Sequence, residues 1–289
     1  MCGIAGFYNA NENYTAKKDK WEQILDDMNR AQKRRGPDDE GTYLSPLCGL
    51  AHVRLEIIDL LTGQQPMVRK QSGRECAIVF NGEIYNMQEL KTELLSEGAT
   101  FHTTSDTEVI LAGYMLHGKD YIKKLNGIFA IALWDSIPGQ IYLFRDRLGV
   151  KPLFYTMINK TLVFSSEIKG LFAYPGINPV LDSSGLCEIF ALGPAKTYGK
   201  GVFKNIKEVL PGHCLIFNHE SCTIEPYWKL ESRPHEDSME ETIEKTAWLV
   251  EDAVKKQMLS DIPISTFLSG GLDSSLVTAI CARELKKQG

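Results

Sequence analysis

Several features of membrane, secreted and nucleic-acid-binding proteins are missing from this chain. The longest apolar runs, such as residues 128–134, fall far short of the roughly 20 residues that a membrane helix needs. The amino terminus has no basic segment followed by an apolar one, so no signal peptide is predicted. Lysine and arginine total 32 against 37 for aspartate and glutamate, a net charge of −5. Because no excess of cations is available to neutralise phosphates, we expect neither nucleic acid nor a membrane as a partner.

Cysteine pairs and metal-ligand spacings are also missing. The seven cysteines are scattered without a C-x-x-C pair, and the histidines do not stand at metal-ligand spacing. This usage predicts reduced thiols, no zinc site and a cytoplasmic location. What the chain does have is the composition of an ordinary globular protein, with 43% hydrophobic and 24% charged residues. Its 289 residues allow two domains.

The first and longer part of the chain mixes strands with amphipathic helices. Short apolar runs predict strands at residues 2–8, 49–53, 77–81, 129–134, 140–144, 153–156 and 161–164. Apolar residues at helical spacing predict helices near residues 21–28, 88–97 and 106–117. This arrangement is typical of an α+β or layered α/β domain.

A polar, turn-prone stretch near residues 231–244 predicts a linker. After it, the pattern predicts a helix at 239–258, a short strand at 264–268, a Ser-Gly-Gly turn and a helix at 274–287. These elements resemble the opening strand–turn–helix of a Rossmann-like domain, which needs several such units to form its sheet. We therefore expect a domain at residues 2–230, a linker and the start of a second domain at 231–289, and a longer parent protein.

The first chemical signal is the position of Cys2, directly after Met1. If Met1 is removed, the thiol and a free α-amino group belong to one residue. An α-amino group has a pKa of about 7.7–8.0, so at neutral pH part of it is free to accept the thiol proton. Nucleophile and base then come from the same residue. Taken alone, however, a cysteine at the second position is usually incidental.

Further motifs follow Cys2 in a fixed order. They are Arg35-Gly-Pro-Asp-Asp-Glu-Gly41, Ala51-His-Val-Arg-Leu55, Asn81-Gly-Glu-Ile-Tyr-Asn86, Thr104-Ser-Asp-Thr-Glu-Val109, Arg145-Asp-Arg-Leu-Gly-Val-Lys-Pro-Leu153 and Ser269-Gly-Gly-Leu-Asp-Ser-Ser275. Each has an ordinary structural interpretation by itself, because arginine and aspartate mostly form surface ion pairs and Asn-Gly mostly forms hairpin turns. The stretch 145–152 is expected to be a structural turn with Arg145 and Asp146 pairing internally, and His52 is expected to pack.

In this order and spacing the motifs resemble class II glutamine amidotransferases, and the last motif makes them most similar to the glutamine-hydrolysing asparagine synthetase family. The resemblance covers the chain from Cys2 to its last residue. It implies an α+β, four-layer αββα N-terminal-nucleophile hydrolase domain. The start of a Rossmann-like α/β ATP-pyrophosphatase domain is expected to follow it. One departure is Arg34, which replaces the histidine that commonly precedes Arg-Gly-Pro-Asp in the family; the sequence does not predict its effect on the lid over glutamine.

The resemblance implies how glutamine binds, and the chemistry of the matched residues agrees. Arg54 offers a planar fork for the α-carboxylate of glutamine. Asp106 offers a carboxylate for the α-ammonium, and Glu83 assists it. Family members also use main-chain groups just after the arginine, which correspond here to Leu55, Ile57 and Ile58.

The resemblance also implies the catalytic groups. Cys2 attacks the side-chain amide of glutamine, and negative charge then develops on the carbonyl oxygen. The side-chain amide of Asn81 and the backbone N–H of Gly82 are expected to form the oxyanion hole. Because Gly82 has no Cβ, the backbone can approach the substrate closely there.

The last motif resembles the pyrophosphate loop of ATP pyrophosphatases. It lacks the ending of a Walker A loop but provides free N–H groups and a helix dipole that attract phosphate. The residues expected to bind ATP or pyrophosphate are Leu268, Ser269, Gly270, Gly271, Asp273, Ser274 and Ser275. Asp273 is the one candidate metal ligand, through Mg²⁺-pyrophosphate. Without the family context, a plain strand–turn–helix is as good an interpretation.

The function implied is glutamine-dependent asparagine synthesis, in which this chain supplies the glutaminase. Its expected partners are glutamine, together with aspartate, ATP and Mg²⁺ in the longer enzyme, whereas the glutaminase domain needs no cofactor. A homodimer stays open. One alternative is delivery of ammonia to another adenylated carboxylate, and another is a catalytically silent glutamine-binding module. Sugar-phosphate and phosphoribosyl amidotransferases share the first domain but lack the last motif.

Overall fold

A computed structural model describes residues 1–193, 195–219 and 221–287 of the chain. Within this part the chain divides into two units. The first comprises Met1–Glu56 and Leu61–Lys229, and the second comprises Ile57–Leu60 and Leu230–Gly289. None of the described helices combines the length and the apolar character needed to cross a membrane.

Strands make up much of the first unit. In chain order they are β1 (Gly3–Tyr8), β2 (Asp39–Leu44), β3 (Cys48–Arg54), β4 (Met67–Gln71), β5 (Arg74–Ile84), β6 (Gly127–Asp135), β7 (Gln140–Arg145), β8 (Phe154–Ile158), β9 (Thr161–Ser165), β10 (Lys207–Glu208), β11 (His213–Phe217) and β12 (Cys222–Pro226). Its α-helices are α1 (Lys18–Gln32), α2 (Met87–Ser96), α3 (Asp106–His117), α4 (Ile168–Leu171) and α5 (Ser183–Ala191). Short 3-10 helices lie at Tyr14–Lys17 and Gly118–Lys124.

The strands form two antiparallel sheets of six strands each. Their orders are β10-β8-β9-β1-β3-β2 and β12-β11-β7-β6-β5-β4. β1 lies inside the first sheet, between β3 and β9, and β5 lies inside the second sheet, between β4 and β6. The amino terminus of the chain therefore leads directly into a buried central strand.

Three apolar cores hold four layers together. The first core joins the first sheet to α1 and includes Phe7 and Leu25. The second lies between the sheets and includes Ile4 and Val79. The third joins the second sheet to α2 and α3 and includes Phe80. Because successive side chains of a strand point to opposite faces, neighbours such as Val79 and Phe80 contribute to different cores. The predicted αββα layering is confirmed.

The local sequence explains where the helices of the first unit form. Leu25 and Met28 are fully buried on the apolar face of α1, as their helical spacing predicts. Helix α3 occupies the predicted residues 106–117. Its N-cap is Ser105, whose side chain accepts the N–H of Thr107 at 3.2 Å. The seven predicted strands of this unit are confirmed to within a few residues. The elements that were not predicted are β2, β4, β10, β11, β12, α4 and α5.

The second unit contains two long helices, α6 (Met239–Gln257) and α7 (Leu272–Lys287), close to the predicted ranges. Ser238 and Glu241 form a capping box at the start of α6. The two helices are joined by an ion pair of 2.8 Å between Arg283 and Glu251.

The predicted strand at residues 264–268 is wrong. No strand forms there, and Phe267 is 99% exposed. A strand of a parallel sheet needs a neighbouring strand as its hydrogen-bond partner, and the described part of the second unit contains helices only. The apolar run therefore has nothing to pair with.

Candidate active site

Both sheets carry residues that are predicted to bind glutamine. These residues lie at one end of the apolar layer between the sheets. In β3, His52 and Arg54 share the face of Leu50, which belongs to the layer. In β5, Asn81 shares the face of Val79 in the same layer. The Nε2 atom of His52 lies 3.2 Å from a carbonyl oxygen of β5, so the sheets meet here.

Cys2 is half-buried just before β1 and is held by the main chain of its neighbours. The backbone N–H of Leu55 donates to Sγ at 3.4 Å, and Sγ lies 3.7 Å from the carbonyl oxygen of Leu55. The carbonyl oxygen of Cys2 accepts from Nε of Arg35 at 2.8 Å. Burial raises the pKa of the Cys2 thiol and Asp106 adds to the rise, whereas the Leu55 hydrogen bond, the ammonium of Met1 and Arg54 oppose it. Arg54 and Asp106 are thus electrostatic neighbours of the thiol.

The loop after α1 is fixed against the end of β3. A Cβ on Gly36 would lie 2.4 Å from the backbone nitrogen of Arg54, so only glycine allows this approach. The backbone N–H of Asp38 donates to the carbonyl oxygen of Arg54 at 3.1 Å. The contact positions Arg35 beside Cys2. Arg34, the departure from the family pattern, is exposed.

Arg54 is a buried cation, with 4% of its surface exposed. Its Nη1 lies 3.4 Å from a carboxylate oxygen of Glu56. A guanidinium at such a site suits bidentate binding of a carboxylate. Leu55, the next residue, contacts Cys2, whereas Ile57 and Ile58 belong to the second unit. The roles of these residues in binding glutamine stay predictions.

Asn81 is buried, and neither polar atom of its side chain has a hydrogen-bond partner in the described part of the protein. Leaving a buried amide unpaired costs about 1–3 kcal/mol, so this amide calls for a partner that the described side chains do not supply. At Gly82 a Cβ would lie 2.2 Å from the carbonyl oxygen of Ile128 and 2.8 Å from Cα of Phe129. The structural reason for glycine is therefore the close approach of β6, which the sequence did not indicate.

Asp106 begins α3 and is 6% exposed. Its Oδ2 accepts the backbone N–H of Ile84 at 3.2 Å. Burial raises the pKa of Asp106 to about 7, and the charge of Glu83 adds to the rise, although hydrogen bonds from Ile84 and Thr107 oppose it. The carboxyl is thus close to half-ionised at neutral pH, and a substrate ammonium beside it would favour its charged form.

His52 is fully buried beside these residues. Burial lowers the pKa of His52 to about 3, so the ring is neutral. Nε2 is engaged with β5, but Nδ1 has no partner among the residues described. The expected packing role fits this burial.

The sequence did not single out Lys151, whose side chain is only 5% exposed. Lysine is almost never fully buried, and nothing in the motif distinguishes this lysine from a surface residue. Lys151 lies in the turn after β7. The predicted pairing of Arg145 with Asp146 is not found in this turn. Arg145 pairs with Glu208 at 3.0 Å and Asp146 accepts backbone N–H groups, including that of Phe129 at 3.2 Å.

The predicted phosphate loop lies in the second unit. Gly270 has a left-handed φ of 86°, which allows the turn before α7. Oγ of Ser269 lies 3.0 Å from that of Ser274, and Ser275 donates to the carbonyl oxygen of Gly271 at 2.8 Å. Leu268 precedes these residues, and Asp273 lies among them in the first turn of α7. The described residues contain no cluster of three or more histidine, cysteine, aspartate or glutamate side chains that could hold a metal ion.

Comparison with known families agrees with this geometry. The family model described as "Glutamine amidotransferase domain" matches residues 1–228. This chain belongs to the glutamine amidotransferase family. A second family model, described as "Asparagine synthase", matches residues 245–288 of this glutamine amidotransferase.

Individual relatives give the same picture. The chain is 43% identical to "Asparagine synthetase (glutamine-hydrolyzing) 3" of Bacillus subtilis (strain 168), over 100% of this chain and 46% of that protein. It is 36% identical to "Amidase chyE" of Penicillium rubens, over 100% of this chain and 44% of that protein. This amidotransferase therefore spans about half the length of the curated relatives that it matches.

A solved structure supports the fold. The glutamine phosphoribosylpyrophosphate amidotransferase of B. subtilis matches 78% of this chain and 49% of its own, with a TM-score of 0.55 and 22% identity. At this identity the likeness concerns the fold alone. Together with the two sheets and their helical layers, it identifies the N-terminal-nucleophile hydrolase fold.

Proposed function

We propose that the first unit hydrolyses glutamine to glutamate and ammonia through a thioester on Cys2. The observation that carries this proposal is the buried, unpartnered amide of Asn81, at the same end of the apolar layer as Arg54. Because this amide has no other partner, it can donate a hydrogen bond to the oxyanion. Membership of the glutamine amidotransferase family supports the same activity.

The reaction begins when Cys2 sulfur attacks the side-chain carbonyl carbon of glutamine and the thiol proton passes to the α-amine. Asn81 and the N–H of Gly82 donate to the resulting oxyanion. The carbon–nitrogen bond then breaks, and the proton goes from the α-amine to the leaving nitrogen, which departs as ammonia. Water next attacks the thioester, the carbon–sulfur bond breaks, and glutamate leaves as the thiol is restored.

Replacement of the nucleophile tests this proposal. We expect Cys2→Ala to abolish glutamate release, because no other group can form the thioester, while thermal unfolding stays close to that of the parent. The matched control is Cys187→Ala, which removes an exposed free thiol and should retain activity. Equal glutamate release from the Cys2→Ala variant and the parent would exclude Cys2 as the nucleophile.

The α-amine can serve as the base only if Met1 is removed. The mass of purified, active protein should therefore correspond to a chain that begins at Cys2. An active sample whose intact mass retains Met1 would contradict this mechanism.

For the longer protein we propose ATP-dependent asparagine synthesis, in which aspartate is adenylated and ammonia displaces AMP. This rests on the relatives named asparagine synthetase and on the second family match. The loop Ser269–Ser275 would contact the phosphates of ATP, with Mg²⁺ bound to the nucleotide and Asp273 near the pyrophosphate. A cytoplasmic location belongs to the same proposal and is supported by the seven free cysteines.

A different adenylated acceptor is the second candidate, and the relative named "Amidase chyE" favours it. The full-length protein should be assayed with glutamine, ATP and aspartate, and separately without aspartate. Asparagine and AMP formed in equal amounts would support synthesis of asparagine. Glutamate release without aspartate-dependent AMP would favour another acceptor.

A further inference from the structure

The side chain of Gln65 joins two elements of the first unit. Gln65 lies in the loop before β4 and is 8% exposed. Its Oε1 accepts the backbone N–H of Phe80, in β5, at 2.6 Å, and its Nε2 donates to Oγ1 of Thr107, in α3, at 3.1 Å. Because a backbone N–H can only donate, the side-chain amide has a single orientation that forms both bonds. The Gln65 side chain thus ties β5 to the first turn of α3.

This edge of β5 has no strand beside it where Gln65 binds. The pairing of β4 with β5 begins at Met67, opposite Ile78. None of the described strands pairs with Phe80 on that side, and the side chain of Gln65 takes the place of one. The main chain of Gln65 is held as well, because its carbonyl oxygen would lie 2.2 Å from a Cβ on Gly41 in β2. Gln65 is therefore fixed at both its main chain and its side chain.

The two residues that Gln65 joins are chain neighbours of two candidate site residues. Phe80 directly precedes Asn81, the proposed oxyanion donor. Thr107 directly follows Asp106, the proposed partner of the substrate ammonium. The contacts of Gln65 therefore fix the main chain beside each of these residues.

A second hydrogen bond between the same two elements uses the carboxyl of Asp106. Its Oδ2 accepts the backbone N–H of Ile84, near the end of β5, at 3.2 Å. A substrate ammonium would share this carboxylate, whereas the two bonds of Gln65 use no group that is proposed to bind glutamine. Gln65 therefore holds α3 against β5 whether or not substrate is bound.

We propose that Gln65 is a positioning residue that sets the distance between Asn81 and Asp106, and thereby favours amides that carry an α-ammonium. Glutamine has to reach both residues at once, with its side-chain amide at Asn81 and its ammonium at Asp106. A misplacement of about 1 Å is enough to weaken such a two-point attachment. A substrate without the ammonium does not use Asp106 and is insensitive to this distance. This inference rests on the proposed glutaminase.

The test compares glutamine with 4-carbamoylbutanoate, which is glutamine without its α-ammonium. The KM for glutamine and the inhibition constant of 4-carbamoylbutanoate are both measured from glutamate release. We expect Gln65→Met to raise the KM for glutamine about 10-fold, as the loss of a buried hydrogen bond predicts, and to leave the inhibition constant unchanged. The matched control is Gln64→Met, at the exposed neighbouring glutamine, which should change neither constant.

Thr107 provides a second variant, at the other end of the contact, in case Gln65→Met does not fold. Thr107→Val removes the hydroxyl and should also raise the KM for glutamine, whereas Thr107→Ser keeps the hydroxyl and should behave like the parent. The double variant of Gln65→Met with Thr107→Val should have a KM close to that of Gln65→Met alone. The effects are not expected to add, because both changes break the same contact.

Three outcomes would overturn the proposal. They are an unchanged KM for glutamine in both variants, an equal rise of the KM and of the inhibition constant, and effects that add in the double variant. An equal rise would mean a general disturbance of the site. A parent protein that releases no glutamate would instead contradict the glutaminase, so the two proposals fail on different measurements.

Discussion

Burial of the Asp106 carboxyl couples the stability of the empty enzyme to pH. The pKa of Asp106 is raised to about 7, mainly by burial, so between about pH 4 and pH 7 the folded protein keeps a proton that the unfolded chain has lost. The stabilisation is fully present below the unfolded pKa and is lost as the pH rises through 7. We expect the unfolding temperature of the parent, relative to that of Asp106→Asn, to fall between pH 5 and pH 8.

The control for this measurement is Asp19→Asn, which changes an exposed acid in the first turn of α1. Its unfolding temperature should follow that of the parent at every pH. A difference between parent and Asp106→Asn that does not change with pH would show that folding does not raise the pKa of Asp106.

The amide of Asn81 gives a second prediction for a single residue. Asn81→Ala should lower kcat for glutamate release by about 10²–10³, since an oxyanion donor acts mainly in the transition state. The KM for glutamine should change little. The exposed Asn11→Ala serves as the control, and a loss confined to KM would assign Asn81 to substrate binding instead.

For single residues, the sequence predicted which side chains belong to the candidate site but not the environment of each side chain. Cys2, Arg54 and Asp106 were identified from ordered motifs. The burial of Lys151 could not be read in the same way, because it depends on how the turn after β7 packs in the folded protein. The need for Gly82 to accommodate β6 is likewise a property of strand pairing.

Among the elements, β5 contributes Asn81, Gly82 and Glu83 to the candidate site, all of them opposite β6. We expect Gly82→Ala to destabilise the fold by roughly 1–3 kcal/mol and to reduce glutaminase activity, since its Cβ would displace the carbonyl of Ile128. Urea unfolding and the glutamate assay together measure both effects. Gly271→Ala is the control, because its Cβ would meet only a side-chain oxygen at 3.7 Å. Unchanged stability of Gly82→Ala would show that β6 can move aside.

Prediction of the elements depended on how each strand is buried. Central strands such as β1 and β6 are apolar and were found from the sequence. The outermost strands β2, β4 and β12 alternate or mix polar residues, so their sequences resemble loops. At residues 264–268 the error was the opposite one, because an apolar run was predicted to be a strand and is not one. Apolar character alone does not supply a neighbouring strand to pair with.

For the whole molecule, we expect glutaminase activity without asparagine synthesis. The chain covers less than half of its asparagine synthetase relative, and only two helices and a loop of the second unit are described. With glutamine, aspartate and ATP, the chain should release glutamate but form no asparagine. The full-length protein is the control. Asparagine formed by this chain alone would contradict the expectation.

The proposed boundary between domains can be tested on the same protein. Limited proteolysis should cut within residues 231–238, where the chain is exposed and lies outside helices and strands. The fragment that begins at the amino terminus should retain glutamate release. Loss of activity with this cut would indicate that residues beyond 230 complete the glutaminase.

The apolar layer between the sheets also bears on the geometry of the candidate active site. The proposed nucleophile lies just before β1 of the first sheet and the proposed oxyanion donors lie on β5 of the second, and side chains such as Ile4 and Val79 fill the layer between the sheets. The layer thus sets the separation of the two sheets that carry these residues. Val79→Ala removes core volume from this layer, so we expect it to lower the stability of the fold and to slow glutamate release.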